Sequence, residues 1–182
     1  FDWNGLTLTF SHNLLQLRSF QLDAGQPARG NHNGGSMRFG PDGKLYVLEG
    51  DTGRRGLTQN NLQGPVPDDQ FGGPEPDATH TTGVMYRINK DGTSPADNLF
   101  FNRTPYPNMN KVFGYGIRNG FGLMFDQATG HLWLQEHGDD TFDEMNLVRA
   151  GHNGGWVQTM GPLSRIGQFR DIEINLNTGG LQ

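Results

Sequence analysis

Apolar residues recur at every second position in several short stretches, which predicts strands rather than helices. Leu6-Thr7-Leu8-Thr9-Phe10 is the first, and Asp2-Trp3 before it also reads as ordered strand. Leu14, Leu15, Leu17 and Phe20 follow in a stretch that fits a strand or a helical turn, and a strand is the preferred reading. Ser36–Gly40 and Lys44–Glu49 are predicted to form a hairpin about Pro41-Asp42-Gly43, where Pro presets one turn dihedral and Gly accepts a positive φ. Gly83–Asn89 is a strand closed by Lys90-Asp91-Gly92. Val112–Ile117 is extended. Gly122–Phe125 and His131–Glu136 form a second hairpin, and Asp143–Arg149 is the next strand. Ile172, Ile174 and Leu176 alternate once more.

Two of these hairpins are copies of one pattern. His32-Asn33-Gly34-Gly35-Ser36-Met37-Arg38-Phe39 lies over Arg118-Asn119-Gly120-Phe121-Gly122-Leu123-Met124-Phe125. With one residue inserted in the turn, Lys44-Leu45-Tyr46-Val47-Leu48-Glu49-Gly50 lies over His131-Leu132-Trp133-Leu134-Gln135-Glu136-His137. A third strand follows each, at 85–89 and 144–148. A repeated small antiparallel sheet is the sequence form of a propeller blade, and this unit is roughly twice the usual length. The Pro-rich insertion at 52–82 accounts for much of the excess. Residues 1–182 therefore read as part of a single β-propeller domain, with repeat units near 32–92 and 118–150. Gly-turned hairpins also resemble one another by turn chemistry alone. The paired Asn-Gly, Phe, Leu-aromatic and Glu positions go beyond that.

Composition narrows the class. The 28 Gly beside 12 Phe, 4 Tyr and 3 Trp suit short strands and tight turns and do not suit a disordered chain. Zero Cys removes disulfides, thiolate metal sites and cysteine nucleophiles. A formal charge of −5 without a Lys/Arg cluster argues against nucleic acid and anionic lipid as partners. No apolar run approaches the ~18 residues of a membrane helix. Phe1 opens inside an apparent strand without a starting Met, and the last residues carry no capping pattern, so both ends read as cut or matured.

An antiparallel hairpin brings the start of its first strand and the end of its second to one rim. His32-Asn33, Arg118-Asn119, Gly50-Asp51 and His137-Gly138-Asp139-Asp140 are therefore expected on one face. His32 fits a general base near neutral pH, or a surface loop histidine. Arg118 fits an anion holder or a hydrogen-bonded loop anchor. Glu136, His137, Gly138, Asp139, Asp140, Asp143 and Glu144 form an oxygen-rich cluster suited to a hard cation, or a solvated acidic turn without EF-hand spacing. Asp68, Asp69, Glu75 and Asp77 read as acidic loop; Tyr46 and Trp133 read as packing residues. Asn102-Arg103-Thr104 matches the N-glycosylation triplet, a weak signal.

Taken in order, His32-Asn33-Gly34-Gly35, MRFGPDGKLYVLEGD (37–51), GVMYRINKDGTSPADNLFF (83–101), YGIRNGFGLMFD (115–126), LWLQEHGDD (132–140) and DEMNLVRAGHNGGW (143–156) resemble the soluble glucose/sorbosone dehydrogenases, the PQQ-dependent aldose sugar dehydrogenases. The resemblance implies an all-β, six-bladed propeller of four-stranded antiparallel blades, of which this chain supplies about three. It implies an oxidoreductase that oxidises the anomeric carbon of an aldose to a lactone by hydride transfer to pyrroloquinoline quinone (PQQ), with His32 as base. Arg118 would polarise the quinone oxygen, Asn119 and His137 would hold the cofactor, and backbone carbonyls of Gly138 and Asp139 would reach Ca²⁺. Glu144 is the candidate for a second Ca²⁺. It also implies an external electron acceptor, a periplasmic or secreted location of bacterial type, and further basic residues for the quinone outside residues 1–182. Other segments of the same propeller would then complete the pocket.

The chain departs from the family pattern at three places. Gly138-Asp139 stands where Gly-Pro is common, Gly120 where Pro often follows Arg-Asn, and Gly154 where Tyr is usual. Two other readings compete: a non-catalytic propeller module for binding or structure, and a metal-dependent hydrolase such as a lactonase. The second needs an axial metal held by Glu, Asn and Asp, where this chain offers His and Arg.

Overall fold

In the computed structural model of the chain, residues 1–17, 31–53, 82–102, 107–138, 142–156 and 159–167 are described. The described residues are mostly strand, with single 3-10 turns at Met109–Lys111 and Leu163–Arg165. β1 (Asp2–Trp3) and β2 (Leu8–Thr9) form a separate two-stranded ribbon. β3 (Met37–Phe39), β4 (Leu45–Glu49), β5 (Val84–Ile88) and β6 (Val112–Tyr115) run as a four-stranded antiparallel meander. β7 (Gly120–Phe125), β8 (Leu132–Glu136) and β9 (Glu144–Val148) form a second, three-stranded meander. β10 (His152–Asn153) returns to the first sheet as a parallel neighbour of β6.

The described residues are mostly strand, as expected, and both hairpins hold, with strand ends shifted by a residue or two in either direction. Two readings change. Residues 14–17 are not a strand: Leu14, Leu15 and Leu17 lie half-buried against the outer face of the first sheet. Their spacing has neither period, and burial without pairing is what such a run can give. The extended segment at 112–117 supplies the fourth strand of the first repeat, so that unit has one strand more than the repeat comparison showed. The alternation at 172–176, most of the Pro-rich insertion and Asp139-Asp140 lie outside the described residues.

Alternation along β4 and β5 sends successive side chains to two cores. Leu45, Val84, Tyr86 and Ile88 join Phe100, Met109, Val112 and Tyr115 on one face. Tyr46, Leu48 and Met85 face the other way, onto Ile117 and onto Leu123, Leu132, Leu134 and Val148 of the second sheet. The two repeats thus stack face to face. Tyr46 seals the far end of the seam, with edge-on contacts to Phe113 and Phe125 at ring-centroid distances of 5.1 and 5.0 Å. At the same end Arg87 donates to Asp42 (2.9 Å) and, in a bidentate pair, to Asp97 (2.9 and 3.0 Å). That network fixes the turn at 41–43 against β5.

The near end of the seam is stitched by backbone. Gly83 N–H donates to Gly50 O (2.8 Å), Ile117 N–H to Gly83 O (3.0 Å), Asp51 N–H to Arg118 O (2.8 Å) and His137 N–H to Asn119 O (3.0 Å). Three separate chain segments meet at Gly50, which explains the glycine. A Cβ there would fall inside contact distance of His32 O and lie 2.7 Å from Arg118 O. Gly120 is likewise covered by the side chains of Leu48 and Leu134, which occupy the space a larger residue would need.

Two buried glutamates occupy equivalent places in the repeats. Glu49 ends β4 and accepts a long hydrogen bond from the Tyr86 hydroxyl (3.4 Å). Burial pushes its carboxyl up to about 8. Glu136 ends β8, and burial, reinforced by Glu144 and Asp51, pushes it up to about 8 as well. Each holds its proton in the folded chain at pH values where the unfolded chain has lost it. Their contribution is therefore complete below the ordinary glutamate value of 4.5 and is lost as pH rises toward about 8.

Two outcomes follow from this packing. The thermal midpoint falls as pH is raised through that window, and Glu49→Gln, which cannot ionise, makes the fall shallower. An identical slope in the variant, read by circular-dichroism melting across pH, contradicts the buried proton at Glu49. Gly50→Ala destabilises the fold by about 1–3 kcal/mol, because backbone oxygens rather than mobile side chains meet the new methyl. A midpoint equal to that of the parent chain contradicts the close approach.

Candidate active site

The seam's near rim carries the polar residues. The loop before β3 brings His32 to it, and His32 sits there with φ 57. A β-carbon residue in the left-handed region costs about 1–3 kcal/mol and persists only where its surroundings enforce it. The enforcing contact is visible: His32 Nδ1 lies 2.7 Å from Asp51 Oδ1. Thr52 beside it also has a positive φ, 52.

Asp51 is buried at the end of the first hairpin and is ringed by donors. Besides His32, Oδ1 accepts the Gly53 N–H (2.7 Å), and Oδ2 accepts the indole N–H of Trp156 (2.8 Å). An ionised carboxylate can only accept, so the proton of the His32 pair sits on Nδ1. Nε2 is then the acceptor nitrogen of the ring.

Arg118 stands at the equivalent place in the second repeat. Its backbone N–H donates to Glu136 Oε1. Its Nη1 donates to the carbonyl oxygens of His137 (3.2 Å) and Gly138 (2.9 Å), and its guanidinium lies 5.4 Å from the Trp156 ring centroid. Two carbonyls aimed at one positive charge are also the donor chemistry a hard cation such as Ca²⁺ selects. Asn119 is buried next to Arg118, and the His137 ring stacks on Phe121 with centroids 4.4 Å apart.

The structure thus brings His32, Arg118, Asn119, His137 and Gly138 to one rim, as the repeat geometry predicts. Asp139 lies outside the described residues. Glu144 pairs across from Glu136 in the β8–β9 ladder, one strand away from His137. Its oxygens accept from Gly161 N–H (2.6 Å) and from the Asn146 amide (3.3 Å). Among the described residues no three His, Asp or Glu side chains gather as a metal cage. A β-carbon at Gly154 would fall inside contact distance of Gly116 O, so a larger side chain there would have to displace backbone.

The sequence puts Asp51 on the rim and Trp156 at the end of the family-like segment 143–156, and gives neither a role. Asp51 was accessible in principle, as the acidic residue just after the repeat's second strand. The bond between Trp156 and Asp51 had no such signal, because it spans 105 residues.

The rim thus presents an imidazole paired with a buried carboxylate, together with a guanidinium to which two carbonyl oxygens converge. Residues 9–162 match the family described as Glucose / Sorbosone dehydrogenase. The quinoprotein glucose dehydrogenase B of Acinetobacter calcoaceticus is 34% identical over 145 residues, which is 77% of this chain and 29% of that protein. The aldose sugar dehydrogenase YliI of Escherichia coli is 30% identical over 127 residues, 70% of this chain and 29% of that protein. The PQQ-bound aldose sugar dehydrogenase of Streptomyces coelicolor superposes with a TM-score of 0.53 at 31% identity, covering 72% of this chain and 32% of that structure. The chain spans about three tenths of the length of the curated relatives it matches. Among the described residues no helix is long and apolar enough to cross a membrane. With the family match covering more than half of its residues, the chain belongs to the glucose/sorbosone dehydrogenase family.

Proposed function

We propose that the protein oxidises the anomeric carbon of an aldose to a lactone, with PQQ and Ca²⁺ as cofactors and an external acceptor for the electrons. The observation that carries this reading is the His32–Asp51 pair at the same rim as Arg118. Asp51 keeps the His32 proton on Nδ1, so Nε2 can take the proton of the sugar's C1 hydroxyl. As the C–O bond becomes a carbonyl, the C1 hydrogen leaves as hydride. PQQ, when bound, supplies the two-electron acceptor for that hydride. Arg118 provides fixed positive charge where negative charge develops. Asn119 and His137 would line the cofactor side, and the carbonyls of Gly138 and Asp139 would hold Ca²⁺. Glu144 is the side chain proposed for a second Ca²⁺.

The same reading supplies the rest of a six-bladed propeller from other segments of the protein. Phe121, Met124 and Met145 are exposed on the second sheet, and β9 pairs only with β8 among the described residues. An apolar face beside an open sheet edge is what a neighbouring blade would cover. The protein is read as periplasmic or secreted.

In the intact polypeptide reconstituted with PQQ and Ca²⁺, aldoses reduce an artificial dye acceptor. His32→Ala lowers kcat by ~10²–10⁴-fold, the usual worth of a general base. Turnover equal to the parent enzyme removes His32 from the mechanism. Absence of PQQ binding in the intact polypeptide, read by quinone absorbance after gel filtration, contradicts the dehydrogenase reading itself.

A further inference from the structure

We infer that Trp156 is a positioning residue that sets the basicity of His32 through Asp51 and the aim of Arg118 through its ring face. The inference rests on the sugar-oxidation reading only for its catalytic consequence; the geometry stands apart from it.

Trp156 is fully buried, and its backbone N–H is bonded to Gly116 O (3.1 Å), just before Arg118. The indole edge and the indole face do different things. The edge donates to Asp51 Oδ2 at 2.8 Å, while Oδ1 serves His32. The face lies under the Arg118 guanidinium at 5.4 Å. A buried aromatic that meets a cation on its face and an anion on its edge follows the quadrupole of the ring. One side chain thereby couples the two charged groups that the two repeats contribute to the rim.

The chemical consequence has a definite sign. A carboxylate shares its charge among its donors. While Trp156 draws on Oδ2 and Gly53 on Oδ1, Asp51 attracts the His32 proton less than a bare carboxylate would. Removing the indole N–H concentrates charge on Asp51 and raises the pKa of His32. Removing the Asp51 charge lowers it. The charged groups around the cluster are Asp51 from the end of β4, Arg118 from the start of β7, and Glu136 from β8, which feels both Asp51 and Glu144. Every position-156 variant keeps the same number and sign of these charged groups.

The experiment is an NMR titration of the His32 imidazole in the intact polypeptide without cofactors. The parent is compared with Trp156→Phe, with Asp51→Asn, and with benzothienylalanine incorporated at position 156. The last keeps the shape of the indole and replaces its N–H by sulfur, so packing is preserved if the Phe variant fails to fold. The expected result is an upward shift of the His32 pKa on the order of half a pH unit or more in both position-156 variants, and a downward shift in Asp51→Asn. In the PQQ- and Ca²⁺-loaded enzyme the acid limb of kcat/KM moves up by the same amount. A His32 pKa unchanged at both position-156 variants, with Asp51→Asn still shifting it, overturns the role of Trp156 and leaves the His32–Asp51 pair standing. Loss of aldose oxidation in the parent enzyme would instead sink the functional reading, and the titration would still decide Trp156.

Discussion

A carboxylate removed from water needs donors on every side, and Asp51 finds its donors on three parts of the chain. His32 comes from the loop before β3, Gly53 from the segment after β4, and Trp156 from the far end of the second repeat. Satisfying that one buried group ties down the whole near rim. The backbone bond from Asp51 N–H to Arg118 O adds the start of β7 to the same knot. The strained backbone of His32 is held by this arrangement, and its ring is consequently aimed rather than free to turn.

Three acidic residues crowd this rim, and their environments separate them. Glu49 and Glu136 sit in the seam, where burial keeps their protons on at neutral pH. Asp51 is surrounded by donors that call for a charged acceptor. The rim thus presents one carboxylate to one imidazole, with the guanidinium of Arg118 across a tryptophan ring. Groups pushed to different protonation states by their surroundings are the raw material of acid–base catalysis.

Much of this was legible in the sequence because it is periodic. The hairpins at 36–49 and 122–136 follow from alternation and from Gly-containing turns, and their duplication predicts that His32 and Arg118 share a rim. What escaped was non-periodic. Leu14, Leu15 and Leu17 bury themselves on the first sheet without joining it, a tertiary outcome that no spacing announces. The fourth strand of the first repeat, Val112–Tyr115, has a glycine at its centre and weak alternation, so its pairing to β5 emerges only from the packed sheet. The Asp51–Trp156 bond joins residues that lie in different repeats, and side-chain bonds across such separations leave no local trace.

The most direct trial of the account is a crystal structure of the intact polypeptide with reduced quinone, Ca²⁺ and an aldose. The account predicts His32 Nδ1 on Asp51, with Nε2 within hydrogen-bond reach of the sugar's C1 hydroxyl and the Arg118 guanidinium against the cofactor. A sugar bound at another rim, or a C1 hydroxyl facing a base other than His32, would contradict it.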